Sequence, residues 1–113
     1  METRIWTNGP IYILDIQGDI HYADSNRLKE MVMKMIGKKV ERFIINASKI
    51  KSIDSSGIGA FIYISSTLKK LGLSLAITNV SAALGQVMDK TKLASFFPIY
   101  KNVDEAVQKL SQE

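Results

Sequence analysis

Polar and apolar residues alternate over Thr3-Arg4-Ile5-Trp6-Thr7, and Asn8-Gly9 follows as a dipeptide that tolerates positive φ in a tight turn. Pro10-Ile11-Tyr12-Ile13-Leu14-Asp15-Ile16 is a second β-rich run, so the pair reads as a hairpin ending at Gly18. A polar stretch leads to Asp24, the expected cap of a first helix. Behind it Leu28, Met31, Val32, Met35 and Ile36 recur at spacings of three and four, an apolar helical face closed by Gly37. Met31 and Met35 are core filler on that face, and Met33 points off it. Phe43-Ile44-Ile45 is a short unbroken apolar run flanked by charge, as a strand covered on both sides requires. Asn46 to Ser52 reads as a polar loop carrying Ile50.

Asp54-Ser55-Ser56-Gly57 opens a second helix running to about Leu71, with Gly72 as its stop. Leu73-Ser74-Leu75-Ala76-Ile77 predicts another strand, Ser81 starts a third helix through Leu84, Val87 and Met88, and Ile99-Tyr100 is a brief strand. Asn102-Val103-Asp104-Glu105 places a cap residue three before a Glu and opens a final helix with Ala106, Val107 and Leu110 inward. The predicted order is β-β-α-β-α-β-α-β-α. It implies a single α/β domain over 1–113, with a mostly parallel, mixed sheet of about five strands and four helices. Crossovers are right-handed by the usual rule, and the N-terminal hairpin forms an antiparallel edge.

Composition narrows the chemistry. The 113 residues are 46% hydrophobic and 23% charged, a globular balance that needs no metal or disulfide to hold a core. Cys is absent, which removes disulfides, thiolate metal sites and thiol catalysis. One His, His21, leaves no His-based zinc site and no Ser–His triad, so neither metal nor cofactor is expected. The net charge is +4, and the basic residues fall in pairs: Lys38-Lys39, Lys69-Lys70, Lys90 with Lys92. Arg is limited to Arg4, Arg27 and Arg42, which argues against a nucleic-acid partner. No apolar stretch approaches the ~20 residues of a membrane helix. Met1-Glu2-Thr3-Arg4 does not resemble a signal peptide, so a cytoplasmic protein without a membrane partner is expected.

In an open α/β sheet, sites form where a strand's carboxyl end meets the next helix. The junction between Phe43 and Gly59 carries the densest cluster of small, polar and glycine residues: Ile53-Asp54-Ser55-Ser56-Gly57-Ile58-Gly59. Asp54 or Ser55 would cap the helix and leave N–H groups pointing outward with partial positive charge. Gly57 and Gly59 remove Cβ atoms from the first turns, which serves either close docking of another molecule or helix–strand packing. A plain capping motif has the same composition. No partner in the sequence would activate Ser55 as a hydrolytic nucleophile, and the Gly-Lys-Ser/Thr of a phosphate-binding loop is missing. A small enzyme or nucleotide-binding protein using this junction is one rival reading.

The run Phe43-Ile44-Ile45-Asn46 through Ile50, followed by Ile53-Asp54-Ser55-Ser56-Gly57-Ile58-Gly59, resembles the STAS domain of bacterial anti-sigma factor antagonists. Gly18-Asp19-Ile20 is similar to that family's step after its second strand, and Leu75-Ala76-Ile77 with Val80-Ser81-Ala82-Ala83-Leu84 to its fourth strand and following helix. Lys90-Thr91-Lys92-Leu93 departs from the family pattern, which leaves the end of the third helix open. The resemblance implies a non-catalytic protein that binds an anti-sigma factor serine kinase and releases the sigma factor. It implies phosphorylation of Ser55 by that kinase and reversal by a phosphatase, with Ser56 unmodified and ATP and Mg²⁺ held by the kinase. Asp54, Ser55, Ser56, Gly57, Ile58, Gly59 and Asp19 would form the partner-binding surface, with the His21-Tyr22-Ala23-Asp24 stretch flanking the same rim. Asp54 would cap the helix or orient the Ser55 hydroxyl. Part of the wide apolar stretch Ile58, Phe61, Ile62, Tyr63 and Ile64 would face outward. The same fold also serves unphosphorylated scaffold subunits of lipid transporters and stress-signalling assemblies, which is the other alternative.

Overall fold

The computed structural model describes residues 1–113. Five strands form one sheet in chain order: β1 (Glu2–Asn8), β2 (Ile11–Ile20), β3 (Arg42–Ile53), β4 (Ser74–Thr78) and β5 (Ile99–Tyr100). Four helices accompany them, α1 (Tyr22–Gly37), α2 (Ser55–Lys70), α3 (Ala82–Lys90) and α4 (Val103–Leu110), with a 3-10 turn at Ala94–Phe96. β1 and β2 pair antiparallel; β2, β3, β4 and β5 are mutually parallel neighbours. Each parallel connection steps one strand further in the same direction, so crossovers of a single hand put α1, α2 and α3 on one face of the sheet. There Leu14, Ile16, Phe43, Ile45 and Ile77 pack with Leu28, Val32, Ile58, Phe61, Ile64 and Leu84 in a core of 21 buried residues. α4 has no further strand to reach and covers the reverse face, where Ala106 and Leu110 meet Ile11, Ile13, Ile44 and Ala76. No helix is long and apolar enough to cross a membrane.

Three expectations need correction. Asn8 pairs with Ile11, so the two turn residues are Gly9 and Pro10, with Gly9 at φ +59 in the first position, as a primed hairpin turn demands. The cap residue of α1 is His21, with extended backbone, and Asp24 stands three residues inside, its carboxylate accepting the His21 N–H at 3.1 Å. Asn46 to Ser52 is no loop: β3 runs unbroken to Ile53, and β2 passes Gly18 to end at Ile20. Two register shifts against β2 insert extra residues into β3, so its inward side chains Ala47, Ile50 and Ile53 fall three apart instead of two. The other helix starts are where the sequence puts them. Ser81 Oγ accepts from Leu84 N–H at 3.2 Å, and Asn102 Oδ1 from Glu105 N–H at 2.8 Å.

Candidate functional site

β2 and β3 are parallel, so both reach the same edge of the sheet with their carboxyl ends, where α1 and α2 begin. The bulges in β3 bring Ser52 opposite Asp19 and Ile53 opposite Ile20. The Ser52 hydroxyl donates to the Asp19 carboxylate at 2.6 Å and lies 3.4 Å from His21 Nε2. One residue on, Asp54 N–H donates to the Ile20 carbonyl at 3.2 Å, which stitches the start of α2 to the end of β2. The Asp54 carboxylate then accepts Gly57 N–H at 3.0 Å and caps the helix. The start of α1 is fixed in a similar way. The hydrogen bond from His21 N–H, helped by the Arg27 guanidinium at 3.4 Å, holds the Asp24 carboxyl below its ordinary value.

The first two turns of α2 divide into an inward and an outward side. Gly57 and Ile58 are buried; Asp54, Ser55 and Gly59 are exposed, and Ser56 is half-buried. Gly57 presses directly on the strand ends: a Cβ there would lie 2.5 Å from Ile53 Cγ1 and 3.0 Å from Ile20 Cγ2. Gly57 and Ile58 therefore seat the helix and offer no side chain to a partner, against the expectation that they lie on the contact surface. At Gly59 a Cβ would meet nothing within 4 Å. The rim's hydrogen bonds run through Asp19, His21, Ser52 and Asp54 and leave the Ser55 hydroxyl free. It stands at the positive end of a 16-residue helix, where an anion is tolerated. The one imidazole faces Ser52, whose hydroxyl is directed to the Asp19 carboxylate, and neither group is bonded to Ser55. No group of three His, Cys, Asp or Glu side chains is placed to hold a metal ion.

Outward from Ser55 and Gly59, the same side of α2 reaches Tyr63, which is exposed, with Lys29 Nζ of α1 5.3 Å from its ring centroid. Tyr22 and Met33, also exposed, continue this surface along α1, whereas Phe61 and Ile64 are buried.

A family model of the STAS domain matches residues 3–106. The chain belongs to the STAS domain family. An anti-sigma F factor antagonist of Paenibacillus polymyxa is 21% identical to this STAS domain over 101 residues, covering 88% of this chain and 86% of its own. Sulfate transporter 3.1 of Arabidopsis thaliana is 26% identical over 119 residues and covers 89% of this chain, which spans only 18% of the transporter's length. Among solved structures, a candidate anti-sigma factor antagonist from Thermotoga maritima superposes with TM-score 0.86 at 19% identity, over 95% of this chain and 92% of that one. The Bacillus cell fate determinant SpoIIAA in its phosphorylated form superposes with TM-score 0.74 at 14% identity, over 96% and 99%. At those identities the solved structures speak for the fold.

On the STAS fold, Asp19, Asp54, Ser55 and Gly59 come together as one exposed rim, joined by His21 at its flank. Ser52 was not among the expected rim residues. Its place follows from the β2–β3 register, and nothing in the local sequence marks it.

Proposed function

We propose that this STAS domain is a phosphorylation-switched antagonist of an anti-sigma factor. It acts in the cytoplasm, binds an anti-sigma factor that is also a serine kinase, and so releases the sigma factor. Phosphorylation of Ser55 switches it off and a phosphatase restores it. The observation that carries this reading is the free, exposed Ser55 hydroxyl at the mouth of α2, beside a glycine with open space over it. The free hydroxyl is open to a foreign active site, and the bare helix surface at Gly59 allows a partner's backbone to come close.

The physics of a reversible switch fits this place. A phosphate adds about −1.5 to −2 charges and three acceptor oxygens. At a helix N-terminus the fold tolerates it. Inside an interface the same dianion must be desolvated next to Asp54, at a cost of several kcal/mol, or a hundredfold or more in affinity. The ATP and Mg²⁺ belong to the kinase. Incubation with the cognate kinase and ATP, followed by mass spectrometry, tests the assignment. The phosphate should appear on Ser55, Ser55→Ala should bind the kinase without being modified, and Ser55→Asp should bind weakly. A phosphate on Ser56, or on no residue, refutes it.

The match to a segment of a sulfate transporter favours a second reading, in which the domain is a regulatory module of a transport assembly without phosphorylation. Under that reading the domain would associate with a permease, and Ser55→Asp would leave that association unchanged.

A further inference from the structure

We propose that β1 pairs antiparallel with the β1 of a second copy of this chain, about a twofold axis passing between the two Ile5 residues. This goes beyond the proposed switch and holds whether or not Ser55 is modified. Sheet edges carry unpaired N–H and C=O groups, and proteins ordinarily blunt them with short strands, proline, lysine or bulges. The β5 edge is blunted: it is two residues long and follows Pro98. The β1 edge is not. It is seven residues long, contains neither Pro nor Lys, and pairs with β2 in unbroken register. Every β1 residue except Thr3 is exposed, Ile5 and Trp6 among them.

The choice of a second copy as occupant comes from self-complementarity. The hairpin closes with the Asn8–Ile11 pair across a two-residue turn, a geometry in which the closing pair is a hydrogen-bonded one and the pattern alternates along the strand. Even-numbered residues of β1 therefore spend their backbone groups on β2, and Thr3, Ile5 and Thr7 point theirs outward. The twofold axis must pass through a residue position, and Ile5, the middle residue of Glu2–Asn8, gives the longest overlap. In that register Ile5 meets the partner's Ile5 and Thr3 meets the partner's Thr7, both favourable cross-strand pairs. On the reverse face Arg4 meets the partner's Trp6, a cation over an indole, and Glu2 meets the partner's Asn8. No like charges oppose each other. Arg4 and Trp6 are already held in place on that face, both bonded to Asp15 Oδ2, at 3.2 Å and 3.0 Å.

A contact of one strand pair is small, so the dimer should be of micromolar strength. Sedimentation equilibrium of the full chain, over about 10 µM to 1 mM, should show the mass rising from 12.6 kDa toward twice that value. Ile5→Lys sets two ammonium groups against each other and should weaken association at least about tenfold while leaving the thermal melt unchanged. Because the chain has no Cys, cross-linking tests the register directly. Opposed Cα atoms about 5.5 Å apart suit a disulfide, so Ile5→Cys should cross-link to itself on oxidation with diamide. Thr3→Cys and Thr7→Cys should each fail to self-link, their own copies lying about 14 Å apart, and should link when mixed. A monomer at every concentration with no Ile5→Cys product overturns the proposal. So does self-linking of Thr3→Cys as fast as that of Ile5→Cys.

Discussion

Replacing Gly57 by alanine would set a methyl carbon 2.5 Å from Ile53 Cγ1 and 3.0 Å from both Ile53 Cδ1 and Ile20 Cγ2. Ordinary contacts between carbons fall at about 3.5–4.0 Å, so something must move. Ile53 Cγ1 lies next to the backbone on a β-branched side chain that is stiff at χ1, and Ile53 and Ile20 are both buried. The relief must come from lifting the first turn of α2 away from the strand ends. Overpacking of this kind costs about 1–3 kcal/mol, and the better helix propensity of alanine returns at most about 1 kcal/mol. A net loss of up to about 2 kcal/mol should lower Tm by up to roughly 10 °C in a domain of this size. Gly59→Ala two residues on meets open space, gains the propensity without the clash, and should raise Tm by a few degrees. Thermal melts followed by circular dichroism distinguish the two. A Gly57→Ala protein that melts at or above wild type refutes the close seating of α2. If Gly59 lies where a partner's backbone docks, Gly59→Ala should also weaken kinase binding while it stabilises the fold, a combination that no general loss of structure produces.

Two further substitutions report on single side chains of α1 and α2. Ser65 is buried in α2 with no partner for its hydroxyl, so Ser65→Ala should stabilise by about 1 kcal/mol in urea titrations; a destabilised variant contradicts this. Asp24 has its carboxyl held below the ordinary 3.8, so it contributes stability above that pH that disappears as pH falls through the depressed value. Asp24→Asn should therefore be less stable than wild type at pH 7, with the gap closing as acid protonates Asp24 in the wild type. A gap of equal size on both sides of the transition contradicts the linkage.

What the sequence revealed follows from how local each signal is. Asp54, Ser81 and Asn102 cap their helices through contacts within three residues, so the chain spells out those starts. At α1 the same chemistry runs in reverse: the Asp24 carboxylate reaches back to His21 N–H, so a residue three positions inside has the sequence signature of the cap itself. β3 was half hidden because its register shifts spread Ala47, Ile50 and Ile53 at intervals of three, which breaks the alternation that marks a strand. That error concealed Ser52, whose bond to Asp19 depends on strand pairing 33 residues apart in sequence. The role of Gly57 was undecidable from the chain, since only folding brings Ile20 and Ile53 beneath it. The exposed positions Asp54, Ser55 and Gly59 are legible from the motif at a strand-to-helix junction, where sites in such sheets gather, and Asp19 from the resemblance of Gly18-Asp19-Ile20 to the family's step.

Affinity for the cognate kinase, measured by calorimetry for the unmodified protein and for protein carrying phosphate on Ser55 alone, tests the switch most directly. Binding should fall about a hundredfold or more on phosphorylation while Tm stays within a few degrees of the unmodified value. Equal affinity of the two forms, or a loss of binding that accompanies unfolding, would contradict a switch built on Ser55.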